Sequence, residues 1–232
     1  MSARFSKETA TNECITVVSG LPRSGTSMMM KMLSAGNMPL LIDEIRRPDE
    51  DNPKGYFEFE RVKELKDDNS WLEMARGRAV KIVSPLLFYL NLGTHYRYKI
   101  LFMLRNINEI IVSQNKMAYR LKPGEDDIED NVLMQNYSLH LREIQEWEKQ
   151  KENIDVMYLN YTDVIKTPRA AAQRICSFLD LGLNRKEMSA VIDDSLYRQR
   201  VEKPEDDYVA VVSEENKDND IIAERLKHLG YL

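Results

Sequence analysis

The sequence predicts an α/β fold in which a mostly parallel central sheet is flanked by helices, giving three layers. Short β-branched or apolar runs alternate with longer stretches of helix-forming residues. One of those runs, Tyr98–Leu104, is apolar almost throughout, as a strand buried on both faces must be. With 232 residues and 43% hydrophobic content the chain can build one such core. We expect a single domain over residues 1–232, with a polar extension at 1–13 and a charged, peripheral arm at 196–232.

Taken in order, Cys14–Ser19 is short and β-branched and reads as the first strand. Thr26–Ala35 lacks Gly and Pro and is rich in Met and Leu, a helix. Asp43–Tyr56 holds Pro48, Asp49, Asp51, Asn52, Pro53 and Gly55 and reads as a loop. A helix at Glu60–Ala75 and strands at Ala79–Val83 and Tyr98–Leu104 follow, the last ending at Arg105 and Asn106, on the sheet edge where α/β folds bind ligands. Helices are expected at Ile107–Arg120 and Ile128–Lys151, with Leu121–Asp127 between them a second loop; both loops are candidate lids over a substrate. A strand at Ile154–Leu159 is followed by a helix with Pro168 in its first turn and Ala171, Ile175, Phe178 and Leu179 on one face. A short helix near Asp220–Leu229 closes the chain.

The junction of the first strand and helix carries the chemistry. Gly20, Leu21, Pro22, Arg23, Ser24, Gly25, Thr26 and Ser27 place two glycines with four residues between them directly before a helix start, so backbone N–H groups converge on an anion. A loop for nucleoside triphosphate and magnesium would continue from the second glycine with Lys and then Ser or Thr. Here Thr26 follows Gly25 and the cation sits inside the loop as Arg23. The fold is therefore P-loop-like, with a ligand whose charge is disposed differently from that of ATP, and no magnesium-recruiting pair is present.

Composition narrows the partners. A net charge of −5 argues against nucleic acid. Two cysteines, Cys14 and Cys176, give no disulfide framework, and His95, His140 and His228 lack metal-ligand spacing. No apolar run reaches the length of a membrane span and the first thirteen residues are polar, so the expected setting is cytoplasmic, with no membrane partner.

Together these motifs resemble the sulfotransferases that use 3'-phosphoadenylyl sulfate, over roughly Thr16 to Leu181. Pro22, Arg23, Ser24, Gly25, Thr26 and Ser27 resemble the family's 5'-phosphosulfate loop, in the Arg-bearing form of the tyrosylprotein and many bacterial enzymes. Arg105 with Ser113 eight residues later resembles the 3'-phosphate site, and two helical turns bring both to one side. Tyr161, at the end of the strand Val156 to Asn160, matches the position that touches adenine, although Thr162 replaces an acidic residue. The resemblance implies sulfuryl transfer to a hydroxyl or amine acceptor, leaving adenosine 3',5'-bisphosphate, with no metal. It implies that Arg23 stabilises the leaving phosphate and that Lys81 is the second catalytic cation, against the alternative of a strand-end Lys reaching solvent.

The cytosolic members carry a His two positions after that Lys, where this chain has Val83. Resemblance to the tyrosylprotein enzymes, which use a Glu after the first helix, implies instead a base at Glu44, at the matching distance from Arg23, with Asp43 close behind; both also fit solvated loop acids or an internal partner for Arg46. Other readings are a P-loop small-molecule kinase or nucleotide hydrolase, and a non-catalytic protein that binds 3'-phosphoadenosine nucleotides. The acceptor, whether small molecule, carbohydrate or peptide, and the oligomeric state are not legible. Arg198, Arg200 and Lys203 are further cations available to the 3'-phosphate.

Overall fold

A computed structural model describes residues 14–43, 45, 55–93, 96–122, 128–192 and 219–232. Four strands, β1 (Cys14–Gly20), β2 (Ala79–Lys81), β3 (Arg97–Leu104) and β4 (Ile154–Asn160), form a sheet of order β2-β1-β3-β4. All pairings are parallel, with Val17 opposite Val80 and Ile100, and Ile100 opposite Val156. The chain leaves β1 for one neighbour and returns on its other side as β3, so the carboxyl ends of β1 and β3 flank the point where strand order reverses. Ligand crevices of open α/β sheets form there.

Side chains alternate between two cores, one per sheet face. Ile15, Val17, Tyr98, Ile100 and Phe102 face one cluster; Val18, Leu101 and Met103 face the other. The first is covered by α2 (Ile107–Leu121), α3 (Asp130–Lys149) and α7 (Asn219–His228). The second is covered by α1 (Thr26–Ala35), α4 (Tyr161–Lys166), α5 (Pro168–Leu179) and α6 (Arg185–Ala190). The three layers expected from the sequence are present.

Asparagine side chains start three of these helices. Asn106 accepts hydrogen bonds from the N–H groups of Asn108 and Glu109, Asn160 from Thr162, and Asn184 from Glu187. Pro168 occupies the first turn of α5, and the left-handed Asp180 ends it.

Two elements differ from the sequence reading. The helix expected over Glu60–Ala75 is two short 3-10 helices, Glu60–Glu64 and Ser70–Ala75. Between them Asp68 accepts from the Ser70 N–H and Asn69 donates to the Leu65 carbonyl, so side chains take the groups a continuous helix would pair. The second concerns the terminal arm. Its residues 196–218 lie outside the described residues, but α7 is no surface appendage: Ile222, Arg225, Leu226, Leu229 and Tyr231 are buried in the first core. Charge in the flanking sequence masks the apolar spacing of Ile222, Leu226, Leu229 and Tyr231.

Candidate functional site

The loop Gly20–Thr26 links β1 to α1 at the carboxyl edge of the sheet. Gly20 has φ +143, and a Cβ there would lie 2.5 Å from Ser24 Oγ and 2.6 Å from the Met103 carbonyl. Gly25 has φ +105, and a Cβ there would strike the Tyr161 ring at 2.5 Å. Only glycine lets the loop lie this close to β3 and α4. Arg23 adopts φ +74, a left-handed conformation costly for a side chain with a Cβ. The turn is closed by the Ser24 N–H donating to the Leu21 carbonyl. α1 then begins without a side-chain cap, its first N–H groups turned to the loop.

Around this loop the other predicted residues gather. Arg23 Nε donates to Ser113 Oγ at 3.0 Å, and Arg105 Nη1 donates to the Arg23 carbonyl at 3.0 Å. Arg105 lies 4.6 Å above the centre of the Tyr161 ring, and its Nε is paired with Glu109 Oε2 at 2.9 Å. Pro22, Arg23, Ser24, Gly25, Thr26, Ser27, Arg105, Ser113 and Tyr161 therefore occupy one region. Tyr161 is wedged between Gly25 and Arg105 and is buried, so its packing favours seating that guanidinium over presenting an open face to adenine.

Lys81 does not reach solvent. Its side chain is 2% exposed, with Nζ donating to Glu58 Oε1 at 2.7 Å and to the Tyr56 carbonyl at 2.9 Å, between the rings of Tyr56 and Tyr231. Ser27 Oγ donates to the same Tyr56 carbonyl at 3.4 Å, which ties Lys81 to the phosphate loop. Asp43 uses both carboxylate oxygens as a cap, accepting from Ile45 N–H at 3.1 Å and Glu60 N–H at 2.6 Å. Glu44, Arg46, Arg198, Arg200 and Lys203 lie outside the described residues.

A second ring of polar residues braces the loop from behind. Gln114 Nε2 donates to the Pro22 carbonyl at 3.0 Å, while its Oε1 accepts from Tyr137 OH at 2.7 Å and from Arg225 Nε at 3.1 Å. Arg225 also donates to Asn115. Burial raises the Tyr137 hydroxyl above its ordinary range and lowers the Arg225 guanidinium to about 10, leaving it charged at neutral pH. Nothing in the sequence marked Gln114, Tyr137 or Arg225, since their spacing spans a hundred residues. Glu109, in the first turn of α2, stands four positions after Arg105, a spacing visible in the sequence.

The cradle suits a dianionic phosphate ester. Ser24 Oγ is fully buried with no hydrogen-bond partner among the described residues, Arg105 donates to the carbonyl of Arg23 in the same loop, and glycines keep its floor free of Cβ atoms. Among the described residues no cluster of three His, Cys, Asp or Glu side chains could hold a metal ion, and no helix is long and apolar enough to cross a membrane.

The chain is 20% identical to mouse sulfotransferase 1A1 over 85% of its own length and 70% of that protein, and 23% identical to rat sulfotransferase 2A2 over 84% and 72%. It is 22% identical to guinea-pig 3-beta-hydroxysteroid sulfotransferase over 57% of its length, spanning about half (52%) of that relative. Among solved structures, the sulfotransferase domain of a Synechococcus olefin synthase aligns with a TM-score of 0.47 at 14% identity, covering 94% of this chain and 95% of that one. Residues 15–221 match the sulfotransferase domain family, and the chain belongs to it.

Proposed function

We propose that the protein transfers a sulfuryl group from 3'-phosphoadenylyl sulfate to a hydroxyl or amine acceptor, leaving adenosine 3',5'-bisphosphate. The observation that supports this reading is that Arg23, Arg105 and Ser113, the residues read as serving the two phosphate ends of one nucleotide, meet in one region. When bound, the donor supplies an activated sulfuryl group on a phosphate leaving group. The N–H groups of Gly25, Thr26 and Ser27 and the Ser24 hydroxyl hold its 5' end, while Arg105 and Ser113 hold the 3'-phosphate. Arg23 stabilises negative charge on the bridging oxygen and Lys81 that on the acceptor oxygen, tasks that need fixed cations more than covalent help. Tyr161 and Glu109 hold Arg105 in place. Two separate free cysteines accord with a cytoplasmic setting.

Titration calorimetry tests the reading. Adenosine 3',5'-bisphosphate should bind without divalent ions and more tightly than ATP with magnesium. R105A should weaken it by about 10-fold to 100-fold, the worth of one charge-assisted phosphate contact. Tighter binding of magnesium-ATP would reject the reading in favour of a kinase or hydrolase. Turnover that survives EDTA would agree with catalysis by these cations alone.

A further inference from the structure

Removing a proton from the acceptor requires a base, and the structure offers a carboxylate beside Lys81. Glu58 is held 2.7 Å from Lys81 Nζ at the carboxyl end of β2. Its side chain is 12% exposed, against 2% for Lys81, so the acid forms the outer edge of the pair. Buried ion pairs contribute little net stability because desolvation offsets the attraction. Stability alone does not explain why this one is present.

The backbone that delivers Glu58 is strained. Two residues after Gly55, whose φ of +93 glycine adopts without cost, Phe57, a bulky residue, has φ +53. Such conformations persist where surrounding structure enforces them, and they cluster at functional sites. Here the strained segment turns both the Tyr56 carbonyl and the Glu58 carboxylate onto Lys81, and Ser27 of the phosphate loop meets the same carbonyl. Asp43 fixes the segment from the other side: its N–H donates to the Glu58 carbonyl at 2.8 Å and its carboxylate caps Glu60. With both oxygens on backbone N–H groups, Asp43 is a positioning residue.

Resting on the sulfotransferase reading above, we propose that Glu58 is the general base that accepts the proton of the acceptor hydroxyl, with Lys81 beside it to stabilise the oxygen as it becomes negative. The acceptor O–H proton passes to the Glu58 carboxylate as the oxygen forms its bond to sulfur. The bond from sulfur to the bridging oxygen breaks, its electron pair stays on the departing phosphate, and Glu58 later releases the proton to solvent.

The test uses the full chain, 3'-phosphoadenylyl sulfate and a graded set of hydroxyl acceptors: 2-phenylethanol, phenol, and 4-nitrophenol at a pH where it is already ionised. E58Q keeps the shape and loses the base. Its kcat should fall about 100-fold or more with 2-phenylethanol and phenol, the usual worth of general base catalysis, and by less than about tenfold with ionised 4-nitrophenol. E58D should recover part of the loss, and binding of adenosine 3',5'-bisphosphate to E58Q should match wild type, which also reports that the variant is folded. An equal loss with every acceptor, a loss that appears in E44Q and not in E58Q, or wild-type nucleotide binding without transfer to any of the three would overturn the assignment. A wild type that binds no bisphosphate nucleotide would instead overturn the donor reading itself, and Glu58 with it.

Discussion

At the scale of single residues the site is shaped as much by missing side-chain atoms as by charges. Gly25 combines φ +105 with a Tyr161 ring 2.5 Å from where a Cβ would stand. G25A should cost about 1–2 kcal/mol for the left-handed backbone alone, lower the melting temperature, and weaken bisphosphate binding because Tyr161 must shift from beneath Arg105. An unchanged melting curve and affinity would show that the loop has room to spare. The glycines and Arg23 were legible from spacing, because an anion-binding loop before a helix has few sequence solutions. The pairing of Lys81 with Glu58 was not legible. It depends on the left-handed Phe57, and a bulky aromatic residue gives no signal that it will adopt φ +53.

At the scale of elements, local propensity placed the strands well and failed where side chains compete with backbone. Tyr98–Leu104 was recognisable because a central parallel strand must be apolar on both faces, and β3 fills that place. The segment 60–75 has the residues of a helix yet breaks at Asp68 and Asn69. There, hydrogen bonds from the Ser70 N–H and hydroxyl, then from Arg61, hold the Asp68 carboxyl down from 3.8 to about 2. The sign follows from that depression. The unfolded chain binds the proton first, so the contribution of Asp68 is whole above its ordinary range and is lost as pH falls through the window toward about 2. D68N should lower stability at neutral pH, where the contribution is whole, by a small amount because the group is exposed, and should converge on the wild type as pH falls toward about 2. An identical acid limb in the variant would show that Asp68 is not the linked group.

Over the whole molecule, three layers and a parallel sheet could be inferred from the alternation of elements, but the role of the last helix could not. The apolar residues of this helix and of the turn after it are few and are embedded among acids and lysines, and only tertiary packing shows that Ile222, Leu226, Leu229 and Tyr231 fill the first core. Burial of four such side chains is worth about 1.5–3 kcal/mol each, comparable to the entire stability of a domain. A chain truncated after residue 218 should therefore fail to give a cooperative melting transition, whereas a sharp transition would assign α7 a merely local role. The brace behind the phosphate loop also bears on how the protein is made. Gln114 meets Pro22 across 92 positions, and Arg225 meets Gln114 across 111. On the ribosome, the loop and the strands beside it emerge long before the helix that completes their support, and contacts so distant in sequence form late. A ligand seated in this loop can therefore stabilise, by mass action, only chains long enough to include α7.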